Sequence, residues 1–177
     1  FELIEKRRSI RKFTAETIDS EKIDRLKEAA LRAPSSRGLN PWECVFMTDR
    51  ELLEDLARAK PHGASFISNA ALGIVICADP ARSDVWVEDA SIATIYLHLA
   101  AEALGLGSCW IQIRKRMHSE NTTAEAFIAQ ALDLPSHLSV EAMVAIGHPA
   151  EQKSPHDRGT LQMEKVFLNR YGNPFGS

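Results

Sequence analysis

The sequence predicts a mixed α+β domain of four or five strands flanked by helices, and three observations carry that expectation. Residues Ala71 to Ala78 form an apolar run without alternation, bounded by Asn69 and Asp79–Pro80, as in a central strand covered on both faces. Residues Val87 to Leu104 are apolar nearly all round (Ile92, Ala93, Ile95, Leu97, Leu99, Ala100, Ala103), the pattern of a buried helix inside a subunit or at a dimer interface. No repeat, low-complexity segment or linker divides the 177 residues, which suffice for one core but not comfortably for two. The whole of 1–177 is therefore expected to be a single domain.

The remaining elements follow from local signals. A short helix spans about Glu2 to Arg8, and Thr14 to Thr17 is an extended connection. Asp19 or Ser20 can cap a second helix, whose Ile23, Leu26, Ala30 and Ala33 recur at helical spacing. Pro34–Gly38 is a loop and Glu43–Thr48 a strand, followed by a helix from Asp49 to about Lys60 with Leu52, Leu53, Leu56 and Ala57 inward. Gly105 ends the buried helix and leads to a strand at Cys109–Ile113. A helix at Thr123–Leu132 and a strand at Val140–Ile146 complete the core. The tail from Lys153 is polar and turn-prone until Val166–Phe167–Leu168, a short apolar run that needs another surface to pack on.

Composition narrows the function. A formal net charge of -3 argues against general nucleic-acid binding. Cys44, Cys77 and Cys109 lie far apart in apolar runs, which favours buried reduced thiols over disulfides or zinc and suits a cytoplasmic setting. No signal peptide is recognisable, and no apolar stretch reaches the roughly 18 residues of a membrane span. The six histidines show no metal-ligand spacing, and His98 on the buried helix suits a hydrogen-bonded core position.

Three clusters could carry chemistry. Arg7–Arg8–Ser9–Ile10–Arg11 places three guanidiniums and a hydroxyl within five residues, donors that match a phosphate's oxygens. A solvated basic face is the competing reading, and Ile10 and Phe13 count against it by tying this backbone to the core. Pro34–Ser35–Ser36–Arg37–Gly38–Leu39–Asn40–Pro41–Trp42 offers several donors on a loop, although serine-rich connections are also common. Gly105–Leu106–Gly107–Ser108–Cys109–Trp110–Ile111–Gln112 allows close approach of a flat ligand, or is simply a helix stop before a core tryptophan. With no nucleophile elbow or Walker loop, any enzyme chemistry here would fall to a bound cofactor.

In order and spacing, these clusters resemble the nitroreductase-like FMN flavoproteins, over nearly the whole chain from Leu3 to about Tyr171. The Arg-Arg-Ser-x-Arg-x-Phe motif stands here as Arg7–Phe13, the Pro-Ser-Ser loop as Pro34–Ser36 with Pro41–Trp42, the Gly-Leu-Gly-x-x-Trp-Ile stretch as Gly105–Ile111, and the Ile-Gly-x-Pro strand end as Ile146–Pro149. The chain departs from the pattern at Gly38, where many members carry asparagine, and at Ile95–Tyr96, where a Gln-Asn pair is frequent.

The resemblance implies a mainly antiparallel sheet in an intertwined homodimer, with a tail from about residue 153 lying on the partner subunit. It implies tightly bound FMN, with Arg7, Arg8, Ser9, Arg11 and Arg158 around the phosphate and ribityl chain, and Cys109, Trp110, Ile111 and Gln112 along the ring. Pro34, Ser35, Ser36, Arg37 and Asn40 would reach the flavin from the neighbouring subunit. NAD(P)H would be the donor and a nitroaromatic or quinone the acceptor, in ping-pong hydride transfer with no catalytic acid or base. Flavin fragmentation, reductive dehalogenation and non-catalytic flavin binding are the alternatives.

Overall fold

In the computed structural model, which describes residues 1–175, the chain runs α1 (Glu2–Lys6), α2 (Ser20–Leu31), β1 (Trp42–Met47), α3 (Arg50–Leu56), β2 (Leu72–Ala78), α4 (Trp86–Ala103), β3 (Gly107–Gln112), α5 (Ala124–Ala131) and β4 (Ser139–Gly147). The strands form one sheet in the order β1-β2-β4-β3, and every neighbouring pair is antiparallel. The β2–β4 register shifts between Ile76 and Cys77.

All seven residues of β2 are buried. Strand pleating sends Leu72, Ile74 and Ile76 to one face and Val75 and Cys77 to the other. The first face, with Val144 and Ile146 of β4, receives Leu26 and Ala30 of α2 and Ala90, Ala93, Leu97 and Ala101 of α4. The second, with Met143 and Ala145, receives Leu53 and Leu56 of α3 and Ile128 of α5. At about 1.5–3 kcal/mol per buried large aliphatic side chain, these contacts hold the helices to the sheet.

Local signals explain the ends. Asp49 accepts from the Leu52 amide at 3.0 Å and Thr123 from the Ala126 amide at 3.0 Å, so both act as helix caps. Asp19 precedes α2 but makes no side-chain cap bond. The first helix stops at Lys6 rather than Arg8, because Ser9 and Ile10 pair with Ser108 instead. The third stops at Leu56, and β3 begins at Gly107, two residues earlier than expected.

Of the two settings expected for helix α4, burial wholly within one subunit is not what the chain shows. Asp89, Ala90, Ala93, Thr94, Leu97, His98 and Ala101 are buried, whereas Ile92, Ile95 and Tyr96 are 37%, 49% and 38% exposed. Cys77 and Cys109 are buried thiols, but Cys44 is only half-buried.

The tail begins against its own chain, through Lys153 and Ser154, and its later Leu161, Met163, Val166 and Leu168 are exposed. Val166–Leu168 forms no strand, only an isolated bridge between Phe167 and Pro174. No helix among the described residues is long and apolar enough to cross a membrane, and no metal-binding cluster of His, Cys, Asp or Glu occurs among them.

Candidate functional site

The arm that follows α1 is stitched between β3 and the exit of β4. Ser9 bridges Ser108 in parallel, and the Ile10 amide donates to the Ser108 carbonyl at 2.9 Å. Thr14 donates to His148 at 2.9 Å, and Ala150 donates back to Lys12 at 2.8 Å. Glycine permits this approach. A Cβ on Gly107 would stand 2.7 Å from Ile10 Cγ2, and one on Gly147 would stand 3.0 Å from the Phe13 ring.

Extended backbone alternates its side chains, so Arg7, Ser9 and Arg11 share one side and Arg8 and Ile10 the other. The first side converges on the buried Cys109 of β3. Burial pushes its thiol pKa up, while Arg11, the Ser9 side chain, Lys153 and Arg7 all work against that rise. Lys153 Nζ donates to the Ser9 carbonyl at 2.6 Å and lies 3.4 Å from Glu151. Glu151 accepts from the amides of Arg11 at 2.6 Å and Lys12 at 3.2 Å, and the Arg11 amide is the main reason its carboxyl stays below the ordinary range.

Neither Arg7 nor Arg11 is paired with a carboxylate among the described residues. Arg11 lies instead 5.7 Å from the Phe66 ring centroid. Two uncompensated guanidiniums, a hydroxyl and a lysine form a donor set suited to a dianionic phosphate. Arg8 faces away and donates to the Ser154 carbonyl, lining an open groove of about 840 Å³ with Lys6, Ile10, Glu102 and Pro155.

Along β3, Ile111 points into the core, while Trp110 and Gln112 are half-buried on the opposite face. Trp110 donates to Gln112 at 3.0 Å, and Gln112 donates to the Arg114 carbonyl at 3.0 Å, so the indole is tied through Gln112 to the backbone at Arg114. Behind Trp110 stacks His98, 6.5 Å between centroids, with its Nδ1 2.7 Å from Ser108 Oγ. Burial, helped by Arg7, pushes the His98 pKa down to about 4, which keeps the imidazole neutral.

The serine loop lies elsewhere. Ser35 Oγ is 2.8 Å from Asn40 Oδ1 and accepts from the Asn40 amide at 2.9 Å. The Ser36 amide donates to Asp89 at 2.8 Å, and Arg37 pairs with Asp84. Arg37 and Asn40 take left-handed backbone angles, φ 55 and 45, which shape the turn after Pro34. Asp89 stands nine residues before His98 on α4, about 14 Å along the axis, so within one chain this loop and the arginine arm sit at different ends of the helix.

Arg158 lies in an exposed turn, Arg158–Thr160, with no hydrogen bond or ion pair to the arm among the described residues. Lys153, Glu151 and Asp89 escaped the sequence reading. A single lysine opening a polar tail has no periodicity to mark it, and Asp89 looks like any first-turn acid until its burial is known.

Comparison with known proteins agrees with this arrangement. Residues 4–71 and 57–148 match the Nitroreductase family. A protein of Archaeoglobus fulgidus, provisionally named an NADH dehydrogenase/NAD(P)H nitroreductase, is 36% identical over 85% of this chain and 86% of its own length. The structure of an FMN-dependent nitroreductase from Clostridium difficile R20291 superposes with a TM-score of 0.94 at 45% identity, covering 96% of this chain and 98% of that one. The NADPH:FMN oxidoreductase of Vibrio harveyi, in complex with NAD+, superposes with a TM-score of 0.80 at 29% identity over 96% of this chain and 76% of its own. With the family match over most of its length and a 36% identical relative, the chain belongs to the nitroreductase family.

Proposed function

We infer that the chain is an FMN-dependent NAD(P)H oxidoreductase of the nitroreductase type. The observation that carries this is the convergence of unpaired Arg7 and Arg11 with Ser9 and Lys153 beside Cys109. Bound FMN would supply hydride chemistry in ping-pong order, between NAD(P)H and a nitroaromatic or quinone acceptor.

The chain's own groups then bind and orient. Arg7, Ser9 and Arg11 take the phosphate, with Arg158 returning from the tail, while Arg8, expected at the ribityl chain, faces the other way and ties the arm to Ser154. The backbone from Cys109 to Gln112 lines the ring, and the Trp110–Gln112 bond keeps that edge rigid. The arm carries excess positive charge, which opposes loss of an anionic ligand.

We further propose one domain over 1–177 that acts as a homodimer in the cytoplasm, the three free thiols suiting a reducing compartment. The open Ile92–Ile95–Tyr96 face of α4 and the exposed apolar tail residues support a second copy as their cover. That copy would present its own Pro34, Ser35, Ser36, Arg37 and Asn40 to the flavin, which accounts for a serine loop remote from the arm of its own chain.

The test is a visible absorption spectrum of the FMN-reconstituted protein before and after anaerobic NADH or NADPH. Bleaching of the flavin band, recovered on adding a nitroaromatic or quinone, is the expected result. A bound flavin that stays oxidised with both donors would refute the oxidoreductase reading.

A further inference from the structure

The turn after β3 carries Arg114, Lys115 and Arg116, and the site described above uses none of their side chains. Arg114 is engaged: it lies 5.6 Å from the Trp86 ring centroid and 4.0 Å from the buried Glu141. Arg116 is different. Its guanidinium reaches only the neighbouring Lys115 carbonyl, and Lys115 adopts a left-handed φ of 59 to make the turn.

This turn is clamped to another segment. His118 Nδ1 lies 2.8 Å from the Arg58 carbonyl, and its ring stacks on Phe127 at 4.1 Å and 17°. Arg116 stands two residues before His118 and Lys60 two residues after Arg58, so the clamp brings together the two segments that carry these cations. Lys60 Nζ folds over its own turn, 3.7 Å from where a Cβ of Gly63 would be. Neither Lys60 nor Arg116 has an acidic partner among the described residues.

The segment that carries Lys60 runs on to the phosphate arm. Phe66, six residues after Lys60, lies beneath the Arg11 guanidinium. Burial and the adjacent Arg116 lower the Lys60 pKa, with Cys109 acting in the opposite direction, so the ammonium feels both the turn and strand β3. Holding like charges together without a counter-ion costs free energy, and a bound anion removes that cost.

We propose that Lys60 and Arg116 form a specificity site for the 2′-phosphate of a phosphorylated nicotinamide donor, so that the enzyme prefers NADPH to NADH. This rests on the reading of the chain as a nicotinamide-dependent flavin reductase. The site lies beyond the flavin phosphate anchor and recognises the part of the donor farthest from its reacting ring.

The experiment compares 2′,5′-ADP with 5′-AMP by isothermal titration calorimetry on the FMN-loaded protein, with FMN affinity measured in parallel. The wild type binds 2′,5′-ADP about 10-fold more tightly, the lower end for a charge-assisted contact in a partly exposed site. K60Q and R116Q each erase most of that difference, leave 5′-AMP and FMN affinity unchanged, and raise KM for NADPH but not for NADH. Equal binding of the two nucleotides by the wild type overturns the proposal. So does a loss of FMN affinity in either variant, which would assign the pair to the flavin site. The nucleotide comparison can also be run on protein without flavin. A chain that takes no FMN but still discriminates would sink the flavin reading and support this site, whereas one that binds FMN and fails to discriminate would do the reverse.

Discussion

Substitution of His98 by asparagine should remove a specific slice of the protein's acid sensitivity. The imidazole is 3% exposed, bonded to Ser108 and stacked near Trp110. Its pKa falls from 6.5 to about 4, chiefly through burial and secondarily through Arg7. The unfolded chain therefore binds a proton in that interval that the folded protein refuses. Stability rises with pH across the window and is lost as pH falls through it. Integrating that difference from pH 7 to pH 5 gives a loss of about 2 kcal/mol from this one residue. Asparagine keeps a polar atom near the position of Nδ1, opposite Ser108, and cannot titrate. Urea denaturation of wild type and H98N at both pH values isolates the effect, because the remaining carboxylates and histidines are common to both proteins. H98N is less stable at pH 7 through lost packing, yet its further loss on going to pH 5 is smaller by about 2 kcal/mol. Parallel pH dependences in the two proteins would mean that His98 accepts its proton without unfolding, and the argument from burial would be wrong.

Three further substitutions test the site. Arg11→Ala removes an unpaired guanidinium from the phosphate cradle and should weaken FMN binding by about 10- to 150-fold, the equivalent of a charge-assisted hydrogen bond; an unchanged affinity by equilibrium dialysis contradicts the assignment. Gly107→Ala forces a methyl to within 2.7 Å of Ile10 Cγ2. It should cost about 1–3 kcal/mol by overpacking, seen as a lowered Tm together with weaker FMN binding because Ser9 and Arg11 shift with Ile10. Asp89→Ala leaves the Ser36 amide and the Ser83 hydroxyl without their acceptor. A thermal melt should record a loss of about 1–3 kcal/mol for these part-buried and buried groups, and an unaltered Tm would show that the loop is held by other contacts.

Much of the fold was legible in the chain. The unbroken apolar run of β2 could only be a strand covered on both faces, and Asp49 and Thr123 marked helix starts because short polar side chains satisfy free amides there. The strand at Cys109 was placed, but its start at Gly107 was not, since the pairing that extends it belongs to Ile146 and Gly147, about forty residues away. The α4 pattern left open what covers it: Ile92, Ile95 and Tyr96 contribute apolarity that one chain does not bury. Periodicity reports how much apolar surface a helix has, not which neighbour covers it.

The site divides along the same line. The residue types and their order determined the chemistry on offer: guanidiniums and hydroxyls threaded by Ile10 and Phe13, and glycines where backbones must meet. Tertiary structure alone decided the partners. It joined Lys153 and Glu151 to the arm, placed His98 and Arg7 in one electrostatic field, and clamped the turn after β3 to the end of α3 through His118 and Arg58. The reason is physical. Donor capacity, side-chain volume and helical or strand period belong to a residue and its near neighbours, so sequence carries them directly. Proximity between distant residues, and the burial that shifts a proton or strands a charge, exists only once the sheet has closed the chain upon itself.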